Sequence, residues 1–176
     1  MKKQDLGYQP DALLSINIKS IKSPDKLETL LNNINQINST IATTSIQALP
    51  GIGESGKEMY KFNTSSKGLP IFSNVAGGPV VKSLGLKLLA GSDLPKNLSK
   101  TDTNSYILIN EVALAYLGYQ NPAEAIGKTI PTGVGMKSII HGVVGNFNYK
   151  SLKENIGAYM FYRMNAPYEN IRFLMI

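Results

Sequence analysis

Hydrophobic residues change their spacing twice within the first 47 residues of the chain. Apolar and polar residues alternate over residues 12–19, which is the period of a strand with one buried face. Between residues 24 and 36 the spacing becomes helical, and alternation returns at residues 40–47. The strand face would carry Leu14, Ile16 and Ile18, and the helix stripe Leu27, Leu30, Leu31, Ile34 and Ile37. This opening therefore predicts a strand, an amphipathic helix packed on a sheet, and a second strand.

Local signals mark the helix ends. Ser23 before a proline and an aspartate predicts the start of the first helix. A short helix over residues 79–84 is expected to end at Gly85. Further along, Asn110 predicts the cap of a helix that Gly118 closes, and Asn121 precedes another short helix.

The rest of the chain alternates irregularly between strands and short helices. The predicted strands lie at residues 58–62, 69–75, 106–109, 139–144, 158–164 and 171–176. Strict strand-helix alternation is missing, so we predict an α+β fold rather than a doubly wound one. The chain stops within the apolar run 173–176, and because such a strand would be unprotected we expect the natural polypeptide to continue.

Composition narrows the function classes. Hydrophobic residues make up 43% of the chain, which is typical of a globular domain, and charged residues only 17%. The net charge is +6, but the basic residues are spread out, so we expect no nucleic-acid partner. The chain has no cysteine, which excludes disulfides and thiolate chemistry. No apolar run is long enough for a membrane span, and none follows the start as in a signal peptide.

A glycine-rich segment at residues 51–58 (GIGESGKE) fits G-x-G-x-x-G and the first positions of a phosphate-binding P-loop. A P-loop needs a Ser or Thr after its lysine to hold Mg²⁺, and a helix that begins there. Here Glu58 follows Lys57, and residues 59–63 have the pattern of a strand. We therefore interpret the segment as a turn and expect no nucleotide site.

Other candidate site residues lack the partners that their chemistry needs. His141 is the single histidine and sits in an apolar strand, so neither a triad nor a histidine metal cluster is expected. The carboxylate pairs that could do acid-base work are Glu54 with Glu58 and Glu111 with Glu124. No pocket pattern surrounds either pair, so we predict that the domain is not an enzyme and has no catalytic, cofactor or metal residues.

Two further patterns leave alternatives open. Asn38, Asn63 and Asn97 lie in Asn-x-Ser/Thr sequences, which accept glycans only in a suitable secretory pathway. The C-terminal aromatic residues could form a base-stacking platform, a partner-docking surface or, as we expect, part of the core. They are Phe147, Tyr149, Tyr159, Phe161 and Tyr162.

Several strings, in order along the chain, resemble the extracytoplasmic domain of MacB/FtsX-like ABC transporter permeases of the Bacteroidetes type. Residues 3–14 (KQDLGYQPDALL) are similar to the segment that follows the first transmembrane helix in that family. Residues 84–93 (LGLKLLAGSD) resemble its "LGLKLLAGRDF". Residues 106–130 resemble its "ILNEAA…LG…PEEAIGK" block, and residues 142–152 (GVVGNFNYKSL) its "GVVKDFHYKSL".

The sequence departs from the family pattern at a few positions. Ser92 stands where an arginine is usual, and Leu94 where a phenylalanine is usual. Asn146 and Asn148 replace an acid and a histidine-like residue, and residues 77–78 replace an aromatic turn. These departures concern local packing.

The resemblance implies a porter-like lobe of β-α-β units, built from residues 1–90 and 137–176, with a smaller α/β lobe inserted at residues 91–136. It also implies a domain on the periplasmic side of the bacterial inner membrane, attached to its own transmembrane helices in a permease dimer. A separate ATP-binding subunit or domain would drive motion that this domain passes to a substrate or a periplasmic partner protein. The alternative is a free-standing periplasmic module that binds a solute or peptide.

Overall fold

The protein was analysed as a computed structural model, which describes residues 5–21, 23–37, 42–49, 56–60, 69–99, 101–131, 137–165 and 171–176. The helices are α1 (Pro24–Asn35), α2 (Val81–Leu84), α3 (Glu111–Tyr116) and α4 (Pro122–Ala125). The strands are β1 (Ser15–Asn17), β2 (Thr44–Ile46), β3 (Gly56–Tyr60), β4 (Leu69–Val75), β5 (Leu88–Gly91), β6 (Ser105–Asn110), β7 (Thr129–Pro131), β8 (Lys137–Val144), β9 (Tyr159–Met164) and β10 (Phe173–Met175). This mixture confirms the predicted α+β class.

The predicted opening forms a small sheet with the last strand of the chain. The order is β1-β10-β2, and both outer strands run antiparallel to β10. β1 and β2 are therefore parallel to each other and need a crossover, which α1 supplies. The helix buries Leu27 and Ile34 against Ile18, Ile171 and Leu174.

Part of the expected β1 face is not buried. Ile18 is 4% exposed, but Leu14 and Ile16 are 59% and 37% exposed. The prediction was wrong for these two residues. β1 is an edge strand, and the buried apolar side chains of this sheet lie on its other two strands, Ile46 on β2 and Leu174 and Met175 on β10. Alternation in the sequence marks a face but not the element that covers it.

β10 occupies the middle of the small sheet. Its hydrogen-bonding edges are covered by β1 and β2, so the expectation of an unprotected final strand was wrong. The pairing partners come from the other end of the chain, which is why the local pattern could not reveal them.

The larger sheet has the order β3-β4-β9-β6-β8-β5, and β7 pairs with β8 beside β5. β4 with β9 and β6 with β8 are parallel pairs, whereas the β3-β4, β9-β6, β8-β5 and β8-β7 pairs are antiparallel. The strands predicted at 58–62 and 69–75 are found as β3 and β4, which pair antiparallel, although β3 begins two residues before the predicted start at 58. β7 was not among the predicted strands.

The larger sheet is covered on both faces. On one face, α3 and α4 bury Ala113, Leu114 and Ala125 against the strands. On the other face, Ile46 and Met175 of the small sheet pack beside α2 and the buried aromatic residues. The packing order is thus α3 and α4, the larger sheet, the small sheet, and α1.

The division into a lobe at residues 91–136 and a second lobe around it stays a prediction. β6, from within that segment, lies in the larger sheet between β8 and β9, which come from outside it. β7 and β8, on either side of residue 136, are also paired.

Candidate functional site

Asn110 lies where β6 ends and α3 begins, within the family-like residues 106–130. This side chain is 1% exposed, and its Oδ1 accepts hydrogen bonds from the amides of Ala113 (3.0 Å) and Tyr159 (2.9 Å). Its Nδ2 donates to the carbonyl oxygen of Gly157 at 2.9 Å. Asn110 is therefore the predicted helix cap, and it also ties α3 to the start of β9.

Glu111 and Asn146 form a reciprocal contact beside this cap. Glu111 Oε2 accepts from the Asn146 amide at 2.9 Å, and Asn146 Oδ1 accepts from the Val112 amide at 3.2 Å. The two side chains join the first turn of α3 to the segment that follows β8. Asparagine keeps this contact although the family pattern has an acid here, because both have an acceptor oxygen.

The segment of residues 5–13, which we call the strap, lies against the same segment after β8. The Asn148 amide donates to the Leu6 carbonyl oxygen at 2.8 Å. Gly7 has a φ of +73°, and a Cβ there would collide with the Asn146 carbonyl oxygen and lie 2.8 Å from Phe147 Cα. The position therefore requires glycine for both its backbone angle and its space.

The strap makes a second contact at the end of α2. The Gln9 amide donates to the Leu84 carbonyl oxygen at 2.9 Å, and Gly85 ends the helix with a φ of +62°. Side chains of Tyr8 and Leu13 pack, partly buried, on the core cluster that contains Phe147.

Asp93 holds the other end of α2. Its carboxylate accepts from the amides of Val80 (2.9 Å), Val81 (2.8 Å) and Leu94 (2.7 Å). Leu94 itself is buried in the core, so this departure from the family pattern keeps an apolar side chain in place.

Asn74 joins the larger sheet to the segment that follows β2. It is fully buried in β4, its Nδ2 donates to the Ala48 carbonyl oxygen and to Tyr159 Oη, both at 2.8 Å, and its Oδ1 accepts from the Ala48 amide at 3.1 Å. The polar pair Ser73-Asn74 inside the otherwise apolar stretch 71–75 was the available sequence signal, and the sequence interpretation missed it.

Arg163 is a second buried polar residue that was missed. Its guanidinium donates to the Gly77 carbonyl oxygen and, at 2.9 Å, to that of Lys96. It lies in the apolar strand β9, where a buried charge would be costly without such partners. Arg163 ties the turn after β4 to the loop after β5.

His141 is a packed strand residue, as the sequence interpretation favoured. Its Nδ1 lies 3.3 Å from the Ser92 carbonyl oxygen, and its ring meets that of Tyr106 edge to face at 5.6 Å. Tyr106 Oη donates to Asp102 Oδ2 at 2.9 Å. Hydrogen bonds from the Asn104 amide and from the Tyr106 hydroxyl lower the pKa of Asp102. The hydrogen bond to Asp102 in turn raises the pKa of Tyr106.

Most of the C-terminal aromatic residues belong to the core. Phe147, Tyr149, Tyr159 and Phe161 are buried in one cluster, with the Tyr149 and Tyr159 rings 4.4 Å apart. Burial raises the pKa of Tyr149. Tyr162 packs, partly buried, against the cluster on the opposite face of the sheet. A docking or base-stacking role for Tyr149 is therefore wrong, because its ring is covered.

The remaining candidates are not brought into one site. Of the glycine-rich segment, residues 51–55 lie outside the described residues, and Lys57 lies in β3. Asn38 and Asn63 also lie outside them, whereas Asn97 is exposed. Glu111 binds the Asn146 amide. Within the ranges that the structure describes, no group of three His, Cys, Asp or Glu residues could hold a metal ion.

Taken together, the buried side chains of Asn74, Asn110 and Arg163 bind main-chain groups at places where elements join. None of the helices in the described part of the chain is both long and apolar enough to cross a membrane.

No family model matches this sequence, and no curated protein matches it. The fold is similar to the crystal structure of the extracellular domain of the noncanonic ABC-type transporter YknZ from Gram-positive bacteria. That similarity has a TM-score of 0.52 at 12% identity and covers 94% of this chain and 73% of that one. A domain of a protein assigned as a permease from Porphyromonas gingivalis gives 0.48 at 18% identity, over 82% of this chain and 64% of that one. The likeness to the YknZ extracellular domain shows that the two chains share a fold.

Proposed function

We propose that this chain is a non-catalytic extracytoplasmic domain of an ABC-type permease, which couples ATP-driven motion of membrane helices to a substrate or partner outside the cytoplasm. The observation that carries the proposal is the likeness of nearly the whole chain to the extracellular domain of such a transporter. The order of the family-like strings supports it independently. Polar residues of these strings, such as Asp93, Asn110 and Asn146, make hydrogen bonds that connect helices to neighbouring segments.

The geometry of the small sheet fits such an attachment. The Leu14 amide donates to the Ile176 carbonyl oxygen at 3.0 Å, and the Ile176 amide donates back at 2.9 Å. The point where the strap enters β1 is therefore next to the end of β10. In a permease, the strap would lie between the preceding membrane helix and this point, and a connection after β10 would leave the domain beside the same point.

The proposal includes partners and location. The domain would stand on the periplasmic side of the inner membrane, on its own transmembrane helices, in a permease dimer with a separate ATP-binding subunit or domain. The buried polar side chains that we describe bind main chain, which supports a mechanical rather than a catalytic role.

An accessibility experiment in the native host tests the location. The domain has no cysteine, so replacing exposed Asn97 by cysteine adds one reactive site to it. We expect a membrane-impermeant maleimide to label this variant in intact cells whose outer membrane has been permeabilised, with the parent protein as background control. Labelling only after inner-membrane lysis would refute the proposal.

Purification from membranes tests the partners. We expect the native gene product to sediment with membranes and to co-purify with a protein that hydrolyses ATP. Recovery in the osmotic-shock fluid, free of membranes, would instead favour the periplasmic solute- or peptide-binding module.

A further inference from the structure

We propose that the strap, residues 5–13, is a detachable element that leaves its seat without unfolding the sheets, and that motion enters the domain through it. The second half of this inference rests on the proposed permease function. The first half concerns the domain alone and is tested without that function.

Among the described residues, two main-chain hydrogen bonds join the strap to the segments on which it lies. One is the bond from the Asn148 amide to Leu6, and the other is the bond from the Gln9 amide to Leu84. Asp5, Gln9, Pro10 and Asp11 are exposed, and Tyr8 and Leu13 are only partly buried. Because little surface is covered, the strap can open at lower free energy than the core on which it lies.

The segment after β8 that holds the strap is also hydrogen-bonded to α3. Residues Asn146–Asn148 hold the strap on one side, and on the other Asn146 exchanges hydrogen bonds with Glu111 and Val112 of α3. The second contact ends on α2, whose first turn is held by Asp93. A displacement of the strap therefore acts directly on α2 and on the segment after β8 that is hydrogen-bonded to α3.

Gly7 is packed so closely against residues 146–147 that a larger side chain there should open the strap selectively. A Cβ at this position meets backbone atoms of Asn146 and Phe147, which cannot move without disturbing the core. Gly127 provides a matched control, because its φ of +77° is close to the +73° of Gly7 but a Cβ there would meet nothing within 4 Å. Gly7→Ala adds the collision, whereas Gly127→Ala adds only the backbone strain.

Amide hydrogen exchange on the 176-residue chain tests detachment. We expect the Gln9 and Asn148 amides to exchange together, faster than the Ala76 amide, which donates to Tyr162 within the larger sheet. Gly7→Ala should accelerate Gln9 and Asn148 by about tenfold or more while Ala76 is unchanged, and Gly127→Ala should leave the Gln9 and Asn148 rates as in the parent. Exchange of all three amides at one common free energy of opening would overturn the proposal.

The coupling half is tested on the full permease in lipid nanodiscs with its ATP-hydrolysing partner. ATP with Mg²⁺ is expected to change exchange at Gln9 and Asn148 without changing exchange at Ala76. Equal strap exchange with and without ATP would overturn coupling through the strap. Failure to find any ATP-hydrolysing partner would instead count against the permease function and leave the first test standing.

Discussion

At Asn110 one buried side chain takes over hydrogen bonds that water would otherwise make to three main-chain groups. It accepts from two amides and donates to the Gly157 carbonyl oxygen. In a buried place, each group left without a partner costs free energy, so a single side chain can decide whether two elements stay together.

Replacing Asn110 by alanine should therefore lower the free energy of unfolding by about 2–4 kcal/mol, more than a surface cap is worth. Asn121→Ala is the matched control, because Asn121 caps α4 at an exposed position through one bond to the Ala123 amide. That change should cost about 1 kcal/mol. Urea unfolding followed by circular dichroism measures both free energies of unfolding. Equal losses in the two variants would show that the additional bonds of Asn110 do not stabilise the fold.

Tyr149 predicts a dependence of stability on alkaline pH. Burial raises the pKa of Tyr149, so the folded state holds its proton more tightly than the unfolded state does. This contribution is fully present below the unfolded pKa of about 10 and is lost as the pH rises through the higher folded value. Tyr149→Phe should match the parent within about 1 kcal/mol at pH 7 and lose less stability above pH 10. If the parent and Tyr149→Phe lost stability equally between pH 9 and 11, the result would argue against burial of the Tyr149 ring.

At the scale of elements, α1 and the small sheet form a unit with its own core. Leu27 is buried in α1 against Ile18, Ile171 and Leu174, which come from both ends of the chain. The unit therefore depends on packing that brings residues 171–176 back to the start of the fold.

Leu27→Ala should lower the free energy of unfolding by about 2–4 kcal/mol through lost burial and a cavity. Glu28→Ala, at the exposed neighbouring position, should change it by less than about 0.5 kcal/mol. Chemical unfolding with exchange of the Ile18 amide, which donates to Arg172, reports on this unit. An unaffected Ile18 amide in Leu27→Ala would show that α1 does not support the small sheet.

At the scale of the whole molecule, the described end of the glycine-rich segment belongs to a paired strand. Lys57 lies in β3, which pairs with β4, whereas a phosphate cradle needs the N-terminus of a helix after the lysine. The domain would take its energy from a separate ATP-binding partner, as proposed above.

ATP with Mg²⁺ is accordingly expected to leave the melting temperature of the 176-residue chain unchanged relative to Mg²⁺ alone. A ligand that binds the folded state stabilises it in proportion to RT ln(1 + [L]/Kd), so a thermal-shift series over ATP concentration is sensitive to binding. A rise that grows with ATP concentration would contradict this expectation.

Helix ends and the fold class could be predicted from the sequence, because each depends on neighbours along the chain. Asn110, Asn121 and Gly85 end or begin helices as their local chemistry predicts. The residues that resemble a permease family likewise led to the fold that the structure shows. None of these inferences required knowing which strands are paired.

Strand order, the exposure of Leu14 and Ile16, and the joints at Asn74 and Arg163 were decided only by the tertiary structure. The small sheet pairs β10 with strands from the first 46 residues, and the buried polar side chains find partners far away in sequence. Periodicity reports the face that a residue occupies, since it depends on backbone geometry alone. What covers that face depends on contacts between distant segments, which form only when the whole chain is packed.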